Sequence, residues 1–287
     1  MKSAPISMNY RRRKAVDRTM RLICLLMALC IMIPLFSLMI YVTVRGLKRF
    51  DLDFFIHLPA PVGEPGGGMA NAIVGTITMI LIASCFSLPI SILGGVYLAE
   101  AGKTRFASLV RFTADVLSGV PSIVVGIFVY QVLVKPMHQF SALAGGLALA
   151  ILMIPLVTRT TEELIKLVPR NMMEGSLALG APRWKTTLFV VLQAARAGIA
   201  TGVLLAVARV AGETAPLLFT SLNNQFWPSQ ISEPTASLTV QVFTFAISPF
   251  QDWQDQAWTG ALVLLILVVG VSLLSRLTLK GGRGLAN

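Results

Sequence analysis

"LICLLMALCIMIPLFSLMIYVTV", residues 22–44, runs for 23 residues without a charge. As a helix it would reach about 34 Å, enough to cross a hydrocarbon core about 30 Å thick. The run is too long for a signal-peptide core and lacks a small-residue cleavage site, so it reads as a retained anchor helix. Five further apolar stretches read as spans: 70–98, 116–134, 142–158, 198–220 and 257–274. A lone segment in lipid must satisfy its own backbone hydrogen bonds, so each is expected to be a helix. The expected fold is an all-α integral membrane protein with six transmembrane helices. Composition agrees, with 55% hydrophobic and 13% charged residues, where a soluble domain carries roughly 25% charged.

A net charge of +11 would suit a nucleic-acid partner, but its distribution argues for topology instead. With the amino terminus in the cytoplasm, 19 of the 24 Lys and Arg residues fall on that side. Only Arg45, Lys48, Arg49 and Lys135 fall opposite, and Arg209 alone lies within a span. Such a bias is the positive-inside rule and places both termini in the cytoplasm. Residues 1–21 read as a basic cytoplasmic arm beside anionic headgroups, and residues 22–287 as the six-span domain. Cys24, Cys30 and Cys85 lie in apolar spans with no CxxC pair, and His57 and His138 stand alone in outer loops. No disulfide, metal site or cofactor is expected.

Pro34, Pro89, Pro121 and Pro155 fall inside expected spans and should bend them. "GIATG" (198–202) offers small residues four apart for close helix approach. The outer stretch 221–256 carries no Lys or Arg. Its apolar run 238–247 is too short to cross, so an interfacial or re-entrant segment is expected. Trp227, Trp253 and Trp258 would suit an aromatic belt at the membrane surface. "YLAEAGKT" (97–104) ends like a phosphate-binding P-loop, but Tyr97 stands where that motif needs its first glycine. Nucleotide chemistry therefore belongs to a partner.

Two stretches carry charge where function would need it. In "VLLAVARVAGETAPLLF" (203–219), Arg209 and Glu213 are four apart, so on a continuous helix they share a face. Arg209 would lie about 16 Å deep in the fifth span. Ionisable residues at that depth usually face a pathway and keep a partner. A guanidinium fork fits an oxyanion, with Glu213 as counter-charge; a structural ion pair between helices is the other reading. The second stretch is the cytoplasmic loop 159–197. There "EELIKLV" continues a helix until Pro169. "MMEGSLALG" makes a short helix with Gly180 as a left-handed cap, and "APRWKTTLFVV" restarts with Pro182 in the first turn. Two short helices with exposed apolar residues form a knob suited to another protein's groove, or else an ordinary solvated loop.

"EGSLALGAPRWKTTLFVVL" resembles the EAA loop of ABC importer permeases, with Glu174, Gly175, Ser176 and Gly180 in the recurring places. Gly and Ser replace the usual pair of alanines, and Leu192–Gln193 stands where Leu-Pro is usual. Beyond this loop, "GGGMANAIVGT", "GVYLAEAGK", "PSIVVGIFVY", "RTTEELIKLVP", "ALGAPRWK", "ARVAGETAPLLFT" and "NQFW" follow in the order seen in phosphate importer permeases of the PstA type. That resemblance implies type I ABC importer architecture in a bacterial inner membrane. It implies a heterodimer with a second permease of the PstC type, two ATPase subunits of the PstB type, and a phosphate-binding protein of the PstS type outside. It also implies that the helix from Glu174 to Gly180 rests on the ATPase, and that Arg209, Glu213 and Arg159 belong to the translocation pathway. Physical depth alone would let Arg159 serve only as a topology anchor. A permease for sulfate or molybdate is the near alternative. A stand-alone secondary transporter would need coupling-ion sites, and apart from Glu213 only Asp115, at the edge of the third span, offers a carboxylate.

Overall fold

The computed structural model describes residues 8–64, 66–228 and 230–283. Lys2 of the basic arm and Pro65 of the outer Gly/Pro stretch lie outside them. No β-strand occurs among the described residues, only an isolated bridge between Pro59 and Gly67. The first helix, α1 (Met8–Gly46), has 39 residues and is about 58 Å long. It carries the basic residues and the first span without interruption, so the arm is no separate segment from Met8 onward. Residues 12–38 of α1 are exposed, and it meets the rest through its last turns. There the Tyr41 ring lies edge-on to Trp258 at 5.1 Å. The Thr259 hydroxyl donates to the Gly46 carbonyl at 2.9 Å, and Arg49 pairs with Asp252 at 2.9 Å.

After the short α2 (Leu52–Ile56), capped by the Asp51 side chain, α3 (Ala70–Glu100) runs 31 residues. Next come α4 (Arg105–Gly119) and α5 (Ser122–Met137), which meet at 101°. Pro121 bars the α-conformation to the residue before it, and Val120 accordingly sits extended at ψ 130°. The third span, expected over 116–134 with a bend at Pro121, thus straddles a sharp corner. Then follow α6 (Ala142–Lys166), α7 (Arg170–Ala178), α8 (Arg183–Ala211) and α9 (Ala215–Thr220), with α10 (Leu238–Ala246) and α11 (Gln251–Arg283) last. Of these, α1, α3, α6, α8 and α11 are each long and apolar enough to cross a membrane; a sixth span exists if α4 and α5 count as one.

Small residues set the register of the core. A Cβ on Gly145 would stand 2.7 Å from Met79 Sδ, one on Gly146 2.5 Å from Ile82 Cγ2, and one on Gly95 2.5 Å from Thr161 Cβ. Partner numbers rise together, so α3 and α6 run parallel. Against α8 the order reverses: a Cβ on Gly198 would stand 2.9 Å from Leu164 Cδ2, and one on Gly202 2.5 Å from Thr160 Cγ2. The "GIATG" face does what its spacing promised, with α8 antiparallel on α6. Met79, Ala83, Leu149, Met153, Val157, Ala206 and Val210 fill the seam between the three helices.

One face of the bundle therefore collects the ends of α3 and α6, the α7 corner and the start of α8. The opposite face holds the end of α1 and the starts of α3 and α11, where Gln256 Nε2 donates to Gly66 O at 2.6 Å. Beneath that face α10 is buried through Leu238, Thr239, Val240, Gln241 and Phe245. A Cβ on Gly75 would stand 2.0 Å from the Ala236 carbonyl oxygen, and Leu238 N donates to Thr76 Oγ1 at 2.8 Å. Of the two expectations for this segment, interfacial or re-entrant, the burial of α10 within this end of the bundle agrees with the second. Trp253, expected in a surface belt, is 9% exposed and stacks on Phe245 with ring centroids 4.3 Å apart. It belongs to the core around α10.

Candidate functional site

Two helices break at one depth. The pairs Gly198–Leu164 and Gly202–Thr160 bring Arg209 level with Met153, near the middle of the 25-residue α6. On the other flank Arg111 faces Glu162 and Asp115 faces Arg159, so α4 also runs antiparallel to α6. Continuing that register sets the Val120–Pro121 corner close to the same level. Beyond the corner α5 packs on α9: a Cβ on Gly126 would stand 2.6 Å from Pro216 Cα. Discontinuous helices that meet at the middle of a membrane bundle are where transporters place their cargo sites.

The Arg209–Glu213 arrangement differs from the helical pair expected. The fifth span, taken as helical over 198–220, ends at Ala211 with Gly212 as its cap, and α9 starts only at Ala215. Pro216 at the second position of α9 fixes that restart. Arg209 occupies the last turn of α8, whereas Glu213 sits in the non-helical link, where its carbonyl accepts from Thr239 Oγ1 at 2.9 Å. Losing the helical periodicity removes the shared face. No ion pair joins the two side chains among the described residues. Arg209 is exposed and Glu213 half-buried.

Arg159 has the partners that Arg209 lacks. The α6 helix continues beyond residue 158 to Lys166, as the reading of "EELIKLV" as a helical continuation expected, and Arg159 lies in the helix body. Its Nε lies 3.1 Å from Asp115 Oδ1 and its Nη1 donates to Glu162 Oε2 at 2.7 Å. Glu162 has 0% side-chain exposure. It also accepts from Arg111 Nε at 2.6 Å and from Lys166 Nζ, while Arg111 Nη2 donates to the Leu98 carbonyl at 2.6 Å. One buried carboxylate therefore gathers three cations and ties the ends of α3, α4 and α6 together. Sequence reasoning carried the helix through Glu162 but did not single that residue out. The signal was present: residues 159, 162 and 166 share one helix face. Arg159 and Arg209 differ by six residues of α6 register, or about 9 Å along the bundle.

The Glu174–Gly180 stretch forms the corner. Gly180 adopts φ 84°, its N–H donates to Leu177 O at 2.9 Å, and Ala181 N–H reaches back to Ser176 O at 3.2 Å. These are the two bonds of a Schellman cap. Ser176 Oγ and Thr186 Oγ1 lie 2.9 Å apart and lock α7 to α8. Thr187 Oγ1 donates to Glu100 at the end of α3 and starts a π-helical turn, Thr187–Val191. Within the expected loop 159–197, α6 ends at Lys166 and α8 begins at Arg183, so the helical stop near Pro169 and the restart at Pro182 stand where the sequence placed them. Leu179 is 91% exposed and Trp184 59%, with Leu167 and Met172 also open. Glu174 and Gly175 lie on α7 itself.

Residues 91–279 match the family described as the inner membrane component of binding-protein-dependent transport systems. The chain is 44% identical over 278 residues to the phosphate transport system permease protein PstA of Yersinia pestis, covering 95% of this chain and 94% of that one. It is 48% identical over 236 residues to the PstA of Xylella fastidiosa strain Temecula1, covering 81% of each. A probable archaeal PstA from Methanocaldococcus jannaschii is 35% identical over 255 residues, covering 88% of this chain and 90% of that one. A bacterial alginate ABC transporter crystallised with its alginate-bound periplasmic protein has a chain that superposes with a TM-score of 0.65 at 15% identity, covering 92% of this chain and 97% of that one. The MetNI methionine ABC transporter in an inward-facing form gives 0.59 at 15% identity, covering 74% and 93%. These two likenesses speak to the fold, which is that of ABC importer permeases, while the closer sequence matches speak to lineage. Corner, broken helices and sequence identity converge, and the chain belongs to the binding-protein-dependent inner membrane components, among the PstA phosphate transport permeases.

Proposed function

We propose that this chain is a membrane-spanning subunit of an ATP-driven phosphate importer and forms half of its translocation pathway. The observation that carries the reading is Arg209, an exposed guanidinium without an ion-pair partner among the described residues, at mid-bundle depth beside a helix break. Left in hydrocarbon, such a group costs about 3 kcal/mol or more. Its face therefore meets water or another protein, as it would on a pathway between two permeases. Glu213, one backbone turn away in the link, supplies counter-charge to the cavity rather than a fixed partner to Arg209. Arg159 forms a second station about 9 Å further along.

The same assembly accounts for the rest of the chain. A second permease of the PstC type covers the Arg209 face. Two ATPases of the PstB type take up the exposed Leu179 and Trp184 at the corner, with Glu174, Gly175, Ser176 and Gly180 shaping the helix that they grip. A PstS-type protein delivers phosphate at the face of α10. The biased Lys and Arg count supports a topology with the corner and both termini in the cytoplasm of a bacterial inner membrane. The test is reconstitution of the four components in vesicles. Phosphate-loaded binding protein should stimulate ATP hydrolysis and phosphate accumulation. Stimulation by sulfate or molybdate instead, or phosphate uptake by this chain alone without nucleotide, would overturn the reading.

A further inference from the structure

We propose that Asp115 is an internal latch on the anion path: its carboxylate holds the Nε edge of Arg159, and an oxyanion moving inward takes that place. The inference rests on the reading of Arg159 as part of the path. The Arg159 guanidinium is held on two sides that differ sharply in how firmly they bind. On Nη1 sits Glu162, with 0% side-chain exposure and two further cations, Arg111 and Lys166, on its oxygens. Glu162 cannot leave without stranding three positive charges, so that side is fixed. On Nε sits Asp115, 58% exposed, at 3.1 Å, with Arg159 as its one ion-pair partner among the described residues. A pair so open to solvent shifts an equilibrium by only about two- to fivefold, so Asp115 is the side that yields.

An incoming tetrahedral oxyanion offers the same chemistry as Asp115. Two of its oxygens accept from neighbouring N–H groups of a guanidinium fork. With Asp115 in place the cluster sets Arg111, Arg159 and Lys166 against two carboxylates; with Asp115 swung away, Glu162 alone opposes those three cations. The cluster is then two charges positive and faces a phosphate dianion. The latch also has a mechanical side. Asp115 lies on α4 five residues before the 101° corner, so the pair ties the lower arm of that corner to α6. Displacing the carboxylate unties it.

The test uses the complete transporter in phosphate-loaded proteoliposomes, with wild type, Asp115→Asn, Asp115→Glu and Arg159→Ala compared. Nucleotide-free efflux of radiolabelled orthophosphate should rise about two- to fivefold in Asp115→Asn and return to the wild-type level in Asp115→Glu. ATP-driven uptake should fall in Arg159→Ala. Unchanged efflux in Asp115→Asn, alongside reduced uptake in Arg159→Ala, refutes the latch and leaves the pathway reading standing. Wild-type uptake in Arg159→Ala removes the pathway reading and the latch with it. Failure of Asp115→Asn to assemble while Asp115→Glu assembles would make the pair structural and also overturn the latch.

Discussion

Glu162 and Arg209 are opposite solutions to the same problem, a charge inside an apolar bundle. Glu162 is satisfied within the chain by Arg111, Arg159 and Lys166; Arg209 is left exposed for something outside it. Removing the centre of a buried ion cluster leaves its partners uncompensated, so Glu162→Gln should lower stability by about 3 kcal/mol. Asp115→Asn should cost under about 1 kcal/mol, because that carboxylate is largely solvent-screened. Thermal melts of the two purified variants in detergent check the contrast. Equal losses would mean that Glu162 is not the hub. The residue scale is also where sequence reading fell short. Arg209 stands out as the one basic residue amid an apolar run, but Glu162 lies in "RTTEELIK", which reads as polar surface. The face it shares with residues 159 and 166 marks an ion cluster, but its burial follows from where α4 packs.

At the scale of elements, glycine spacing was the most informative signal. Gly198 and Gly202 set the α6–α8 register as their four-residue separation suggests, and Gly180 takes the left-handed cap. Proline was the least informative. Pro34, Pro89 and Pro155 sit inside continuous helices, and only Pro121 marks a corner. The difference is tertiary, since α5 must turn to reach α9 at Gly126 and Pro216. The starts of α3 and α6 were legible to the residue, at 70 and 142. The break at Gly212 was not, because an apolar run continues on both sides of it. Two element-scale predictions follow from contact geometry. Gly75→Ala would push a methyl group to within 2.0 Å of the Ala236 carbonyl oxygen, and should destabilise by about 2 kcal/mol through overpacking, read as a lower melting temperature. Leu179→Asp changes a side chain that is 91% exposed. It should leave that temperature nearly unchanged while weakening ATPase co-purification about tenfold or more, as for a truncated hot spot.

For the whole molecule, charge and apolarity divide the labour. The α7 corner carries Arg170, Arg183 and Lys185, and α1 has residues 12–38 exposed, its apolar run from residue 22 onward suited to lipid or a second membrane subunit. Arg209 opens outward and the corner presents apolar residues to solvent, as the proposed partners would require. The all-helical class, with five spans or six if α4 and α5 count as one, could be read from the apolar runs alone. The depth at which α4–α5 and α8–α9 break could not, because it depends on how those helices stack. The central claim is that phosphate passes Arg209 in a complex driven by a partner ATPase. It is tested most directly by ATP-driven phosphate uptake into vesicles holding the assembled transporter with Arg209→Ala. Uptake should fall about tenfold or more, equivalent to about 1.4 kcal/mol of lost anion stabilisation, with subunit stoichiometry unchanged. Uptake at the wild-type rate, or a complex that no longer assembles, would contradict it.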